Sequence, residues 1–306
     1  MSLKEKIGIS ADTTIDLKPN LLKEKEIHTV PLHIIDNTSG ISYFDGELTN
    51  EDLFLLADKH KITTSAPNVQ AYTEHFEKLL KDNEYLLHFN ISSELSASHQ
   101  NAIIARNELS NPNRIKVINT YNCTIGSGLI LLNALDHIQN VDDFETLLNE
   151  IQSDISNTDL CVILSTLKYV LLGGRLRTAL GEKIGSVAEK TVATPFATTL
   201  EKFRVRPIIS MKDGKPEMTD KDRGSTEKVS NQAFNEILND EDTDLNRVLF
   251  AATNSDAESS LVKIANNLDV AGNINEIHYS TAGQVISNHS GPNAYAVAYM
   301  KKRKKA

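Results

Sequence analysis

Residues 85–99 read YLLHFNISSELSASH: seven mostly apolar residues, then a polar run rich in hydroxyls. The first part has the length and aromatic content of a buried strand, and the serines after it favour the start of a helix. The same alternation continues outward. Downstream, 115–118 reads as a strand and 126–137 as a helix. Phe144, Leu147, Leu148, Ile151 and Ile155 mark an amphipathic helix, and a strand follows at 160–164. Upstream, Val69, Tyr72, Phe76, Leu79 and Leu80 recur at helical spacing. Asn50 before Glu51 and Asp52 signals another helix start. Apolar runs at 7–9, 30–35 and 41–44 read as strands, with a polar turn at 11–14. Strands alternating with helices imply an α/β fold whose N-terminal sheet is mostly parallel and covered on both faces.

The second half has a different rhythm. A helix-rich segment over 168–203 carries Gly173, Gly174, Gly181 and Gly185. Strands at 207–211 and 215–218 flank Asp213-Gly214, a hairpin signal. Val229, Ala233, Phe234, Ile237 and Leu238 suggest one helix, and Leu261, Ile264, Ala265 and Leu268 another. Further strands are expected at 248–252 and 274–279. These patterns divide the chain into an N-terminal α/β lobe, 1–158, and a C-terminal α/β lobe with a mixed sheet, 159–306.

Composition narrows the function. The 306 residues are 40% hydrophobic and 24% charged, as in ordinary globular proteins. No apolar run approaches the roughly 18 residues of a membrane span. A net charge of −9 argues against nucleic acid as a partner, because phosphate neutralisation needs a concentrated basic surface. The run Lys301, Lys302, Arg303, Lys304, Lys305 is the local exception. It reads as a solvated terminus, or as a weak attraction to anionic lipid headgroups. Cys123 and Cys161 are too few and too far apart for a disulfide framework or a zinc site, and both read as core residues. The start, MSLKEKIGIS, lacks a secretory h-region, so the expected compartment is the cytoplasm. A GxxxxGK[ST] loop, a complete dinucleotide fingerprint, HExxH and GxSxG are all absent, and no metal or cofactor is expected.

Three polar clusters remain, each where a strand should give way to a loop or helix: 63–67 (TTSAP), 92–99 (SSELSASH) and 288–293 (NHSGPN). For the first two, helix capping and anion binding compete. Ser and Thr are favoured caps, yet hydroxyls beside a helix N-terminus also suit a carboxylate. In open α/β sheets, the carboxyl ends of strands are where ligands bind. His289 on its own reads as a hydrogen-bonded structural histidine.

In order and spacing, these segments resemble the DegV family of fatty-acid-binding proteins over nearly the whole chain. IGISADTTIDL is similar to the family's opening, with Asp12 at its acidic position. VPL at 30–32 and YFDGE at 43–47 fit the next elements. TTSAP resembles the first signature, placing Thr64 and Ser65 on its Thr-Ser pair, and SSELSASHQNA the second, placing Ser96 on its second serine. LKYVLLGGRL resembles the Gly-Gly-Arg segment with Arg175, and NHSGPNA the late His-x-Gly-Pro motif with His289. The resemblance implies two lobes enclosing an apolar tunnel. Thr64 and Ser96 would hold the fatty-acid carboxylate, with Ser65, Ser98 and His289 beside them. Arg175 and Arg206 would face a dihydroxyacetone-kinase-like fatty acid kinase, which makes acyl phosphate for phospholipid synthesis. No catalysis by the chain alone is implied. Departures from the family pattern are Ala97 for Gly, Ser98 for Thr, His99 for Tyr, Asn119-Thr120 for Asp-Ser, and Asn293 for the late Gly.

Magnitudes favour binding. Burying about 15 acyl CH₂ groups at ~0.8 kcal/mol each gives roughly 12 kcal/mol gross, against which association costs an estimated 4–15 kcal/mol. The competing reading is a serine hydrolase acting on an acyl ester, with Ser96 or Ser98 as nucleophile, His289 as base and Asp12 as its orienter.

Overall fold

The computed structural model describes residues 6–172, 201–268 and 272–303. Gly173, Gly174, Arg175, Gly181, Gly185, Lys304 and Lys305 lie outside the described residues. Among the described residues, no helix is long and apolar enough to cross a membrane.

The expected α/β architecture is present. β1 (Ile7–Asp12), β2 (Ile27–Val30), β6 (Tyr85–Asn90) and β7 (Ile115–Asn119) form a wholly parallel sheet in the order β2-β1-β6-β7. A second, mixed sheet has the order β10-β9-β8-β13-β11-β12. It contains β8 (Thr158–Ile163), β9 (Val205–Lys212), β10 (Lys215–Arg223), β11 (Thr243–Ala252), β12 (Glu276–Thr281) and β13 (Tyr295–Lys301). β11 and β12 pair in parallel, and the other neighbours are antiparallel.

Three strand expectations need correction. The run 30–35 is not one strand. Pro31 offers no N–H to a ladder, and the chain changes sheets there: β2 stays in the parallel sheet, whereas β3 (His33–Asp36) joins a small antiparallel sheet. That sheet has the order β4-β3-β5, with β4 (Ile41–Phe44) and the unforeseen β5 (Ile62–Ser65). The hairpin around Asp213-Gly214 forms as read, but β10 runs on to Arg223 past an irregularity between Met218 and Asp220. As the edge strand, its TDKDR end stays exposed and carries no apolar signal. The last strand, β13, was also unforeseen, although it sits in the middle of the mixed sheet.

α5 (Thr124–Asn140) explains how the two large sheets combine. Its buried residues include Ile125, Leu129, Ile130, Leu131, Leu132, Ala134 and Ile138. A helix apolar on nearly every side needs partners on nearly every side. Ile7, Ile9, Leu87 and Phe89 of the parallel sheet supply one set, and Leu249, Ala251, Ala296 and Ala298 of the mixed sheet supply the other, in a single apolar cluster. The amphipathic α6 (Phe144–Asn157) adds Leu147 and Ile151 to that cluster. On the other side of the parallel sheet, α3 (Val69–Leu79) buries Tyr72, Phe76 and Leu79 against Ala102 and Ala105 of α4 (Ser98–Glu108).

The basic run at the C-terminal end is not a free solvated tail where it is described. Lys301 pairs with Asp159 at 2.6 Å, Arg303 with Glu150 and Asp154, and Lys302 donates to the Glu241 carbonyl.

Candidate functional site

Strand ends and short helices bring the first and last of the polar clusters together. Thr64 lies on β5, opposite Ile34 of β3. α10 (Gln284–Ser290) packs Val285 against Leu32, Ile34 and Leu53 beside this small sheet. Its last turn carries His289, whose Nε2 meets the Thr64 hydroxyl at 2.9 Å. The next helix start does not claim these hydroxyls: α3 is capped by Asn68, whose Oδ1 accepts from Ala71 N–H at 2.8 Å. Capping therefore does not account for Thr64 or Ser65. Ser65 is exposed, and its hydroxyl reaches the Ala66 carbonyl at 3.3 Å.

In the second cluster, Ser96 Oγ lies 2.9 Å from Ser98 Oγ and also accepts the Ser98 N–H at 3.2 Å. Ser98 is fully buried, and Ser96 is half-buried. The two clusters are tied where Asn101 Nδ2 donates to the Pro67 carbonyl at 2.8 Å. Ala97, standing where the family pattern has glycine, takes an ordinary right-handed conformation (φ −72°, ψ −2°), so alanine costs no strain there. Ser92 is spent elsewhere: its hydroxyl donates to the Gly214 carbonyl at 2.7 Å and so anchors the β9–β10 hairpin against this loop.

The third cluster is held by backbone contacts. Gly291 (φ +77°) gives its carbonyl to the Thr253 hydroxyl at 2.7 Å, and the Pro292 carbonyl accepts from Ser165 Oγ at 2.5 Å. Asn293 replaces the late glycine at φ +55°, a left-handed conformation that Asn tolerates better than most residues. Its Oδ1 also accepts from Asn254 Nδ2 at 3.2 Å. Asn293→Gly should accordingly change stability by less than about 1 kcal/mol in chemical denaturation, since Gly removes strain but loses that bond and gains unfolded-state freedom. Arg206 donates to the carbonyls of Ser165 and Gly224, and lines an open cleft of about 570 Å³ with Tyr169, Pro292 and Asn293.

Carboxylates organise the approach to α10. Asp16 Oδ1 accepts Gly283 N–H at 2.9 Å and its Oδ2 the Thr124 hydroxyl at 2.6 Å, while Asp45 accepts Val285 N–H at 3.2 Å and the Thr13 hydroxyl at 2.6 Å. Burial pushes Asp16 up to about 7, and raises Asp45 as well. Asp12 is taken up by Thr14, Asn90 and Ile91. With His289 Nε2 facing Thr64 and Asp12 so engaged, these hydrogen bonds do not build a nucleophile–base–orienter chain.

Polar side chains outside those three clusters form a further network across β1, α3 and β6. The Tyr72 hydroxyl accepts from Asn90 Nδ2 at 3.2 Å. Asn90 Nδ2 also lies 3.1 Å from His88 Nε2; His88 Nδ1 is 2.8 Å from Ser10 Oγ, which is 2.6 Å from His75 Nε2. Burial lowers both histidines, His75 to about 4, so they are neutral near pH 7. The available signal was polar residues, Ser10, His88 and Asn90, inside otherwise apolar strands.

Known proteins share this architecture. A family model described as uncharacterised protein, DegV family, matches residues 6–302. A DegV domain-containing protein of Caldanaerobacter subterraneus is 29% identical over 301 residues, covering 97% of this chain and 100% of its own. The crystal structure of DegV, a fatty acid binding protein from Bacillus subtilis, superposes with a TM-score of 0.80 at 21% identity, over 97% of this chain and 100% of that one. The Streptococcus pneumoniae Fatty Acid Kinase B3 protein, loaded with linoleic acid, gives 0.77 at 18% identity over the same shares. With nearly its whole length matched and both large sheets in place, the chain belongs to the DegV family.

Proposed function

We propose that the protein binds one long-chain fatty acid in an apolar tunnel between its lobes, 1–158 and 159–306, and presents the carboxyl group to a fatty acid kinase. Thr64, Ser96 and His289 hold the carboxylate, with Ser65 and Ser98 beside them. The observation that carries this reading is the Thr64–His289 contact, which joins residues 225 positions apart at the end of a strand. Hydroxyl and imidazole donors grouped there suit an anion, and a carboxylate hydrogen bond is worth roughly 1.5–3 kcal/mol. The ligands named for the Bacillus and Streptococcus proteins support a fatty acid as that anion. The kinase partner rests on the Streptococcus protein's name; Arg206 beside its cleft is the surface assigned to it, and Arg175 is assigned to the same partner by the family resemblance alone. The cytoplasm is the compartment where such a kinase and its ATP would be met.

The test is mass spectrometry of the organic extract of purified protein. About one fatty acid per chain is expected, with added fatty acid raising the melting temperature of stripped protein. Ligand-free extracts without stabilisation would sink the proposal. Ser96→Ala should weaken fatty-acid affinity by about 10- to 100-fold, the range of one charged hydrogen bond, with little change in melting temperature. A stability loss at unchanged affinity would instead make Ser96 a local backbone prop.

A further inference from the structure

Every polar group of Ser92 is engaged, and its partners divide between the two large sheets. Ser92 follows β6 of the parallel sheet and is fully buried. Its N–H donates to the Asn122 carbonyl at 2.8 Å, and its carbonyl accepts the N–H groups of Leu95 at 2.9 Å and Ser96 at 3.2 Å. The turn that carries Ser96 therefore hangs on Ser92. The Ser92 hydroxyl oxygen accepts the Glu94 N–H at 3.2 Å, and its one proton goes to the Gly214 carbonyl at 2.7 Å, since a carbonyl oxygen has no proton to give. That carbonyl belongs to the mixed sheet.

Gly214 sits at the tip of the β9–β10 hairpin, where Lys212 and Lys215 face each other across Asp213 (φ +50°) and Gly214 (φ +78°). Two consecutive left-handed residues make a tight turn whose twist matches that of the flanking strands. The tip is closely seated. A Cβ on Gly214 would lie 2.5 Å from Ser92 Oγ, 2.9 Å from Tyr121 Cδ1 and 3.3 Å from Glu94 Cγ. Of these three, Tyr121 is 46% exposed, and Glu94 reaches outward to an exposed ion pair with Lys215 at 3.1 Å, so both can swing aside. Buried Ser92 cannot. Ser93 is turned to another partner: its hydroxyl accepts from Asn119 Nδ2 at 2.7 Å, at the end of β7.

We propose that Ser92 is a positioning residue: it joins the hairpin tip of the mixed sheet to the turn bearing Ser96, so that the Ser96 hydroxyl is aimed at a carboxylate only while the tip is docked. This rests on the fatty-acid reading of the site. The connection is a short chain of bonds. Gly214 holds the Ser92 hydroxyl, the Ser92 carbonyl holds the Ser96 N–H, and Ser96 Oγ accepts the Ser98 N–H at 3.2 Å where α4 begins. Hydrogen bonds weaken steeply as their angle is lost, so a small shift of this turn is felt at the carboxylate.

The experiment measures the palmitate affinity of delipidated protein in a double-mutant cycle. Ser92→Ala should lower affinity by about five- to tenfold on its own, and by less than about twofold in a Ser96→Ala background, because the change acts through Ser96. Gly214→Ala approaches the same contact from the hairpin side. It keeps the carbonyl but drives its Cβ onto Ser92 Oγ, and should lower affinity by about threefold or more. Added to Ser92→Ala, it should bring less than about a further twofold loss, since the obstructing oxygen is gone. Melting temperatures are recorded in parallel, because the positive φ at Gly214 strains alanine whatever the contact does. Equal losses from Ser92→Ala with and without the Ser96 hydroxyl overturn the inference. So does Gly214→Ala with unchanged affinity, which would make Ser92 a prop for its own turn alone, and so do additive losses in Ser92→Ala/Gly214→Ala. Those results leave fatty-acid binding standing; wild-type protein that binds no palmitate overturns both.

Discussion

Between pH 4 and pH 8, Asp16→Asn should gain stability relative to wild type by roughly 4 kcal/mol, measured by urea denaturation across that range. Asp16 is buried under Gly283 N–H and the Thr124 hydroxyl, and desolvation raises it from 3.8 to about 7. The folded protein thus binds a proton at Asp16 that the unfolded chain has released. Its stabilising contribution is complete below about 3.8 and is lost as pH rises through about 7. Asparagine does not titrate, so the difference between the two proteins isolates this group. The comparison is needed because His75, His88 and His99 are lowered by burial and slope the opposite way: their contribution falls as pH drops. A difference that stays flat from pH 4 to pH 8 would show that Asp16 stays ionised in the fold. Because the same carboxyl group holds Gly283 at the start of α10, fatty-acid affinity should be tracked alongside, as His289 sits at that helix's other end.

Gly291→Ala should destabilise the protein by about 3 kcal/mol or more. At φ +77° and ψ 178°, the backbone occupies a region essentially restricted to glycine, at a cost of roughly 1–3 kcal/mol for other residues. The added Cβ would also lie 2.4 Å from Tyr169 Cδ2, so the ring must move. The turn cannot simply slide away, since Thr253 and Ser165 hold the carbonyls of Gly291 and Pro292. Denaturant titration of the variant gives the figure; a loss under about 1 kcal/mol would mean that the turn relaxes freely.

Much of the parallel sheet could be read directly, because β6 and the helices on either side follow clear periods. Glycine after Asp213 likewise announced the hairpin. β13 escaped because AYAVAYM is a short apolar run with no period to separate strand from helix, and only its neighbours β8 and β11 make it a strand. β5 is similar: Thr63 and Thr64 stay partly exposed in a three-stranded sheet, where no apolar face marks the strand. The Thr64–His289 meeting came from family resemblance alone, since nothing local links residues so far apart. Tyr72 was read as an apolar helix position, which it is, but its hydroxyl accepts from Asn90 of β6, a pairing that no linear spacing encodes.

The position of β13 carries a consequence for synthesis on the ribosome. α5 is translated by residue 140, yet half of its apolar surface waits for strands that end at residue 301. At typical elongation rates of ~5–20 residues per second, the 155 residues up to the start of β13 take roughly 8–30 s to emerge. Through that interval, β8 and β11 lack the neighbour that lies between them. Until then the side of α5 that faces the mixed sheet lacks part of its cover, and the mixed sheet closes only after β13 emerges.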